Sequence, residues 1–266
     1  LRAERSLTDQ LLLASLLPEA VGESRSVLAE VDPLLLPLFE KAQKKVAFRA
    51  AGDVALKELQ DSKISLSSSL GDLARRFRPD ASAFSGSSWL AISASEQIAQ
   101  WRTEYQAVFP GRTLVGLAWR NGDGEDAEHL ARLQPLFLDD GIGIISVQRG
   151  TGRERLAAIA SQAGYNFVVD PRVDGQANLA DYASQLASLD IVVAVDDVTA
   201  ILAAALGKPV IKIVTDTDGH WAWGLTGTSC VWSRNIHIMR TAETGVHWAN
   251  AALTLLAGGM LIRSRS

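Results

Sequence analysis

Cysteine is nearly absent: the 266 residues carry one, Cys230. A single thiol excludes an internal disulfide framework and any metal site built on several cysteines. Cysteine poverty of this kind is compatible with the cytosol. Charge of one sign is lacking too. The 26 Lys and Arg stand against 30 Asp and Glu, for a net charge of −4 and no basic block. The chain is therefore a poor match to a dedicated nucleic-acid binder, whose affinity comes from neutralising phosphates. No long apolar run is present. The longest, Ile191–Val214, contains Asp196, Asp197, Lys208 and Pro209. It reads as strand, helix, strand rather than as a membrane span, which needs about 20 apolar residues. H-E-x-x-H, Walker A and G-x-S-x-G are also missing, so metalloprotease, P-loop NTPase and α/β-hydrolase chemistry lose their main support.

What is present is an ordinary globular composition, 47% apolar and 21% charged, long enough for one large or two ordinary domains. The first half mixes short strands and helices. Helices are predicted over 9–17, 34–44 (behind an Asp32-Pro33 cap), 53–59, 70–77 and 95–108. Strands are predicted over 26–31, 45–48 and 64–66. The Ser-rich stretch 78–88 reads as loop, 89–92 as extended, and Pro110-Gly111 as a boundary. The second half alternates more cleanly. Strands at 113–119, 142–148, 167–169, 191–195 and 210–214 interleave with helices at 127–138, 153–163, 178–189 and 198–206. Near-continuous Val/Ile strands separated by helices imply a parallel sheet covered on both faces, a doubly wound α/β domain. Ligands in such sheets bind beyond the carboxyl ends of the strands.

The loops after the strands therefore carry the candidate chemistry. Gln148-Arg149-Gly150-Thr151-Gly152 joins a strand to a helix. Its backbone N–H groups could hold an anion with help from Arg149 and Arg153, or the glycines could simply serve the turn. Arg155 stands where a dinucleotide fingerprint has its third glycine, which weakens a nicotinamide-oxidoreductase reading. At Asp196-Asp197-Val198-Thr199, Asp197 reads either as a helix cap or, with Thr199, as part of a phosphate-facing turn. His220 lies beside Trp221 and Trp223, a combination suited to a sugar or base face, or to simple packing. His129, His237 and His247 read as structural. Asp9 falls in the first turn of a helix, where a carboxylate is favoured by the dipole.

Several segments carry a family resemblance: Val115–Asn121 (VGLAWRN), Ile145–Gly150 (ISVQRG), Val173–Val210, His220-Trp221-Ala222-Trp223, Ser87–Arg102 and Ser26–Glu40. Together they resemble the GT-B glycosyltransferases of the heptosyltransferase and O-GlcNAc-transferase-like group, especially the regions that follow tetratricopeptide repeats. The resemblance implies two Rossmann-like doubly wound domains facing a cleft. Residues 1–110 would form an acceptor-side domain, and 111–266 a nucleotide-sugar domain whose final helix, near 246–256, returns to the first. The activity implied is metal-independent, inverting transfer of a sugar from a nucleotide-sugar to a protein or glycan hydroxyl in the cytoplasm. The nucleotide-sugar is substrate, and no resident cofactor is implied. Ser6-Leu7-Thr8-Asp9-Gln10-Leu11 resembles the family's aspartate loop, which makes Asp9 the general base. Arg120, Gln148, Arg149, Gly150, Asp197 and Thr199 would line the donor site, and Thr8, His220 and Trp221 would meet acceptor or phosphate.

The chain begins at Leu1 with little of the family's first strand, so an upstream segment is expected, with a helical-repeat domain as the candidate. Thr8 replaces the family's glycine before the aspartate, Ile201 replaces a donor-site histidine, and the loop 121–126 is acidic. These departures support a second reading, a GT-B body kept as a non-catalytic binding or scaffold protein.

Overall fold

The computed structural model describes residues 1–52, 64–92, 96–120, 133–150, 158–159, 161–215, 220–241 and 247–258. Helix α1 (Leu7–Leu13) is capped by Ser6, whose hydroxyl accepts from the Asp9 N–H. It tightens into a 3-10 turn, Ala14–Leu16, and restarts as α2 (Leu17–Gly22) with Pro18 in its first turn. The proline lacks the N–H that a continuous helix would need there, so the single helix expected over 9–17 is two. Strand β1 (Val27–Val31) pairs in parallel with β2 (Val46–Ala50) across α3 (Leu36–Ala42). Asp32 caps the turn before α3: its Oδ1 accepts from the Leu34 N–H at 2.9 Å, and the helix starts four residues later, at Leu36.

Residues 64–68 do not form the expected strand. Leu66 is exposed, and only Ser69 bridges, in parallel, to Arg2. Arg2 donates to the Ser68 carbonyl and Leu1 accepts from the Glu30 N–H, so residues 1–2 lie between β1 and the 68–69 segment. Helix α4 (Leu70–Phe77) follows, with a reciprocal Ser69/Asp72 cap. Helix α5 (Glu96–Val108) leads into the second half. The helix expected over 53–59 lies outside the described residues.

The second half builds a six-stranded, wholly parallel sheet from β3 (Thr113–Ala118), β4 (Ile142–Ser146), β5 (Phe167–Val168), β6 (Ile191–Ala194), β7 (Val210–Val214) and β8 (Ile236–Arg240). Its spatial order is β5-β4-β3-β6-β7-β8. Numbered from the first strand, that is 3-2-1-4-5-6, the doubly wound order whose direction reverses between β3 and β6. Strand β8 had no counterpart in the sequence reading, because His237 and Met239 interrupt the Val/Ile signal. It is held by five residue pairs with β7. Between the strands, α6 (Leu179–Ser188) and α7 (Asp197–Ala205) stand where expected. Residues 133–137 are helical, while most of the helices expected over 127–138 and 153–163 fall outside the described residues.

Alternate strand residues feed two cores. Val115, Leu117, Ile191, Val193, Ile211 and Ile213 join Phe137, Phe167 and the inner face of α8 (Trp248–Ala257) on one side. Val192, Ala194, Val210 and Val214 face the other side. There they share a continuous core with Leu11, Leu12 and Leu16 of the first half and with α7, which is buried from Val198 to Ala205. α7 packs against α1, and its buried Ala200, Ala203, Ala204 and Ala205 have small side chains. Small side chains allow the close helix approach that binds the two halves at this point.

Candidate functional site

The switch point places the loops after β3 and β6 side by side, with the loop after β4 next to them. Gln148 ties two of these loops together. Its Oε1 accepts from the Trp119 N–H at 2.9 Å and the Arg120 N–H at 3.2 Å. Its Nε2 donates to the carbonyls of Arg120 and Arg149. Gln148 is thus a strut, and Arg120 is buried beside it. Gly150 follows at φ +111°, a conformation that a side chain would strain. Arg149 reaches two further loops: Nε donates to the Gly175 carbonyl, after β5, at 3.0 Å, and Nη1 lies 3.6 Å from Asp196 Oδ2, after β6. Thr151–Arg153 lie outside the described residues.

The cap of α7 is Asp196, one residue earlier than expected. Its Oδ1 accepts from the Thr199 N–H at 2.7 Å and from the Thr199 hydroxyl at 2.8 Å. The Thr199 hydroxyl also sits 2.7 Å from the Tyr182 hydroxyl, which lies 2.6 Å from the Val147 carbonyl. Two hydroxyl protons are available for these three contacts, so at most two of them are hydrogen bonds at once. Burial, and then the Asp196 charge, push the Tyr182 phenol well above its usual range, so it stays protonated. Thr199 therefore belongs to a buried network beneath the helix start rather than to a surface that meets phosphate.

With Asp196 occupied in capping, Asp197 turns elsewhere. Its Oδ1 accepts from the Trp223 indole N–H at 2.8 Å and pairs with Lys212 Nζ at 2.7 Å. Lys212, in the middle of β7, is 0% exposed. It also donates to the Val195 carbonyl and lies 5.2 Å from the Trp223 ring centre. The sequence reading missed Lys212, although a lysine inside the run VIKIV was a usable signal: a fully buried ammonium requires a charge partner.

The 3-10 turn Trp221–Trp223 joins this cluster to the first half of the chain. Trp223 is buried on Asp197. Trp221, 53% exposed, donates its indole N–H to Asp9 Oδ1 at 2.8 Å. His220 Nε2 lies 3.3 Å from the same oxygen. His220 Nδ1 accepts from the Ala222 N–H, which assigns the ring proton of the neutral form to Nε2, on the side of Asp9. Arg240 holds the turn from behind through the Trp223 carbonyl at 2.6 Å. Thr8 is buried next to Asp9. One short turn thus brings Asp9, from the start of α1, to the start of α7, and it leaves Asp9 Oδ2 without a partner among the described residues.

The architecture can be set beside solved structures. Escherichia coli ADP-heptose LPS heptosyltransferase II superposes with a TM-score of 0.65 at 10% identity, covering 100% of this chain and 99% of that one. This is the heptosyltransferase fold. A glycosyl transferase family 9 protein of Veillonella parvula gives 0.58 at 12% identity, over 95% of this chain and 88% of its own. The E. coli heptosyltransferase WaaC, solved with ADP, gives 0.53 at 16% identity, over 98% of each chain. In sequence, the chain is 26% identical over 262 residues to protein FlbA of Caulobacter vibrioides, covering 91% of this chain and 43% of FlbA. It therefore spans less than half of that relative's length. No family model matches the chain.

Proposed function

We propose that the chain is an inverting glycosyltransferase that uses a nucleoside-diphosphate sugar without a metal. One observation carries this reading: the 220–223 turn fastens Asp9 against the start of α7, at the switch point where this fold receives ligands. Asp9 Oδ2 takes the proton of an acceptor hydroxyl while that oxygen attacks the anomeric carbon. The bond from the anomeric carbon to the diphosphate oxygen breaks on the opposite side, so the configuration inverts. Trp221 holds the carboxylate through Oδ1, with His220 Nε2 3.3 Å from the same oxygen, and Oδ2 is left to face the acceptor. Charge building on the leaving diphosphate is met by Arg120, Arg149 and the backbone N–H groups at the start of α7. The choice of a nucleoside diphosphate is supported by fold neighbours solved with ADP and with ADP-2-deoxy-2-fluoro heptose.

The proposal includes a division near residue 110 into acceptor-side and donor-side domains around a cleft. It also includes a protein or glycan acceptor, a cytoplasmic setting and a helical-repeat neighbour. Among the described residues, no helix is long and apolar enough to cross a membrane.

A specific observation favours the second reading, a scaffold without turnover. Gln148, Arg149, Asp197 and Thr199 are each engaged by the protein itself, and Ile201 is fully buried in the core. A thermal-shift panel of UDP, CMP, GDP and ADP, each free and sugar-linked, separates the two. A ligand at about 100 times its Kd adds roughly 2.7 kcal/mol. Transferase chemistry predicts a shift with one nucleotide class, and sugar transfer that is lost in Asp9→Ala and Arg149→Ala while both remain folded. No shift with any nucleotide selects the scaffold.

A further inference from the structure

A cavity of about 470 Å³ opens separately from the Asp9 cluster. Ser15, in the turn after α1, lines it, six residues and roughly 9 Å of helix rise beyond Asp9. Gln43, just past the far end of α3, forms another wall, and the 84–91 segment and Trp232 close it. Asp9, Arg149, Asp197 and His220 are not among its walls.

The lining chemistry is specific. Glu19 and Arg78 are its charged groups, and they neutralise each other at 2.6 Å, with the Arg78 side chain 9% exposed. The wall thus has no net charge with which to attract an anion. Phe84 and Trp232 meet edge to face at 4.8 Å and, with Trp89, supply aromatic surface. Ser85, Ser87 and Ser88 also line the cavity. Gln43 donates Nε2 to the Trp89 carbonyl at 3.0 Å, and its Oε1 accepts nothing from the described residues. Ser15 Oγ, in the wall, has no hydrogen-bond partner among the described residues. Aromatic surface, small hydroxyls, an amide oxygen and a neutral donor–acceptor pair match a molecule with an apolar C–H face and a rim of hydroxyls. The size is that of a small-molecule pocket.

We propose that this cavity is a second site, which binds a neutral saccharide unit apart from the Asp9 cluster. The Trp232 ring meets Trp221 edge-on at 5.6 Å, and Trp221 holds Asp9, so an occupied cavity lies one aromatic ring from the proposed base. The site does not depend on the transferase reading and can exist in a scaffold.

The test is saturation-transfer NMR and tryptophan fluorescence on the full chain, with glucose, galactose, N-acetylglucosamine and maltose as probes and glucose 6-phosphate as the anionic arm. The expected result is saturable binding of at least one neutral sugar with a Kd on the order of 1 mM. Binding should be at least about tenfold weaker in the cavity-filling variants Ser88→Phe and Ser15→Leu, and unchanged in Asp9→Ala. If a filling variant fails to fold, Glu19→Gln, which preserves shape, carries the test with a several-fold loss. The proposal is overturned if no neutral sugar saturates by about 50 mM. It is equally overturned if the folded cavity variants bind normally, if glucose 6-phosphate binds more tightly than glucose, or if Asp9→Ala alone abolishes binding.

Discussion

Replacing Lys212 with methionine probes the centre of the proposed donor side. The substitution preserves length and apolar contact in a strand where the lysine is 0% exposed. It removes the ammonium that pairs with Asp197 at 2.7 Å and lies over Trp223. Breaking a buried pair from one side costs about 3–5 kcal/mol, mostly because the remaining charge is left uncompensated. Here the Asp197 side chain is 18% exposed and keeps the Trp223 indole N–H, which lowers the expected cost to about 2–4 kcal/mol. For a chain of this size that is a fall in Tm of roughly 5–12 °C by calorimetry. The double variant Lys212→Met/Asp197→Leu should recover much of the loss, since an apolar pair can replace a buried ion pair at little cost. Lys212→Met alone should also weaken nucleotide binding, because it leaves an unneutralised carboxylate at the start of α7. A fall below about 2 °C, or strictly additive single losses in the cycle, would refute the claim that these two charges depend on each other.

Other outcomes follow from the same geometry. Trp221→Phe keeps the ring and deletes the N–H on Asp9 Oδ1; if Trp221 orients the base, kcat falls by about tenfold or more with KM little changed, whereas a rise in KM alone points to substrate contact instead. Gly143→Ala would place a Cβ 2.2 Å from Phe109 Cγ, so urea unfolding should show a loss of about 2–3 kcal/mol; an unchanged midpoint would contradict the packing. Burial holds His237 below its usual pKa, so the unfolded chain binds its proton first as pH falls through about 6.5. Stability is then full above that pH and declines toward the lower folded value. His237→Gln should flatten the decline measured between about pH 7.5 and 5.5, and an identical slope in both proteins would count against it.

Much of the fold was legible because its signals are local. Runs such as 191–195 are apolar on both faces, and alternating with helices they fit a parallel sheet covered by helices on both sides. Five strands of the six-stranded sheet, and the helices α6 and α7, could be read this way. Strand β8 could not, because its partner β7 supplies what His237 and Met239 lack in pattern. The predicted strand at 64–66 failed for the converse reason: apolar alternation without a neighbour to pair leaves Leu66 in solvent.

The candidate residues divide along the same line. Asp9, Asp197, His220 and Trp221 were visible in the sequence as polar or aromatic groups at the ends of elements. Which carboxylate caps α7, that Thr199 turns inward, that Gln148 is a strut, and that Lys212 neutralises Asp197 depended on side chains from distant parts of the chain meeting at one place. Sequence by itself determined the periodicities, and hence the elements and their layering. The pairing of Asp9 with a turn 212 residues away was decided only by the folded chain. A hydrogen bond needs a partner within about 3 Å, and separation along the sequence carries no information about that distance.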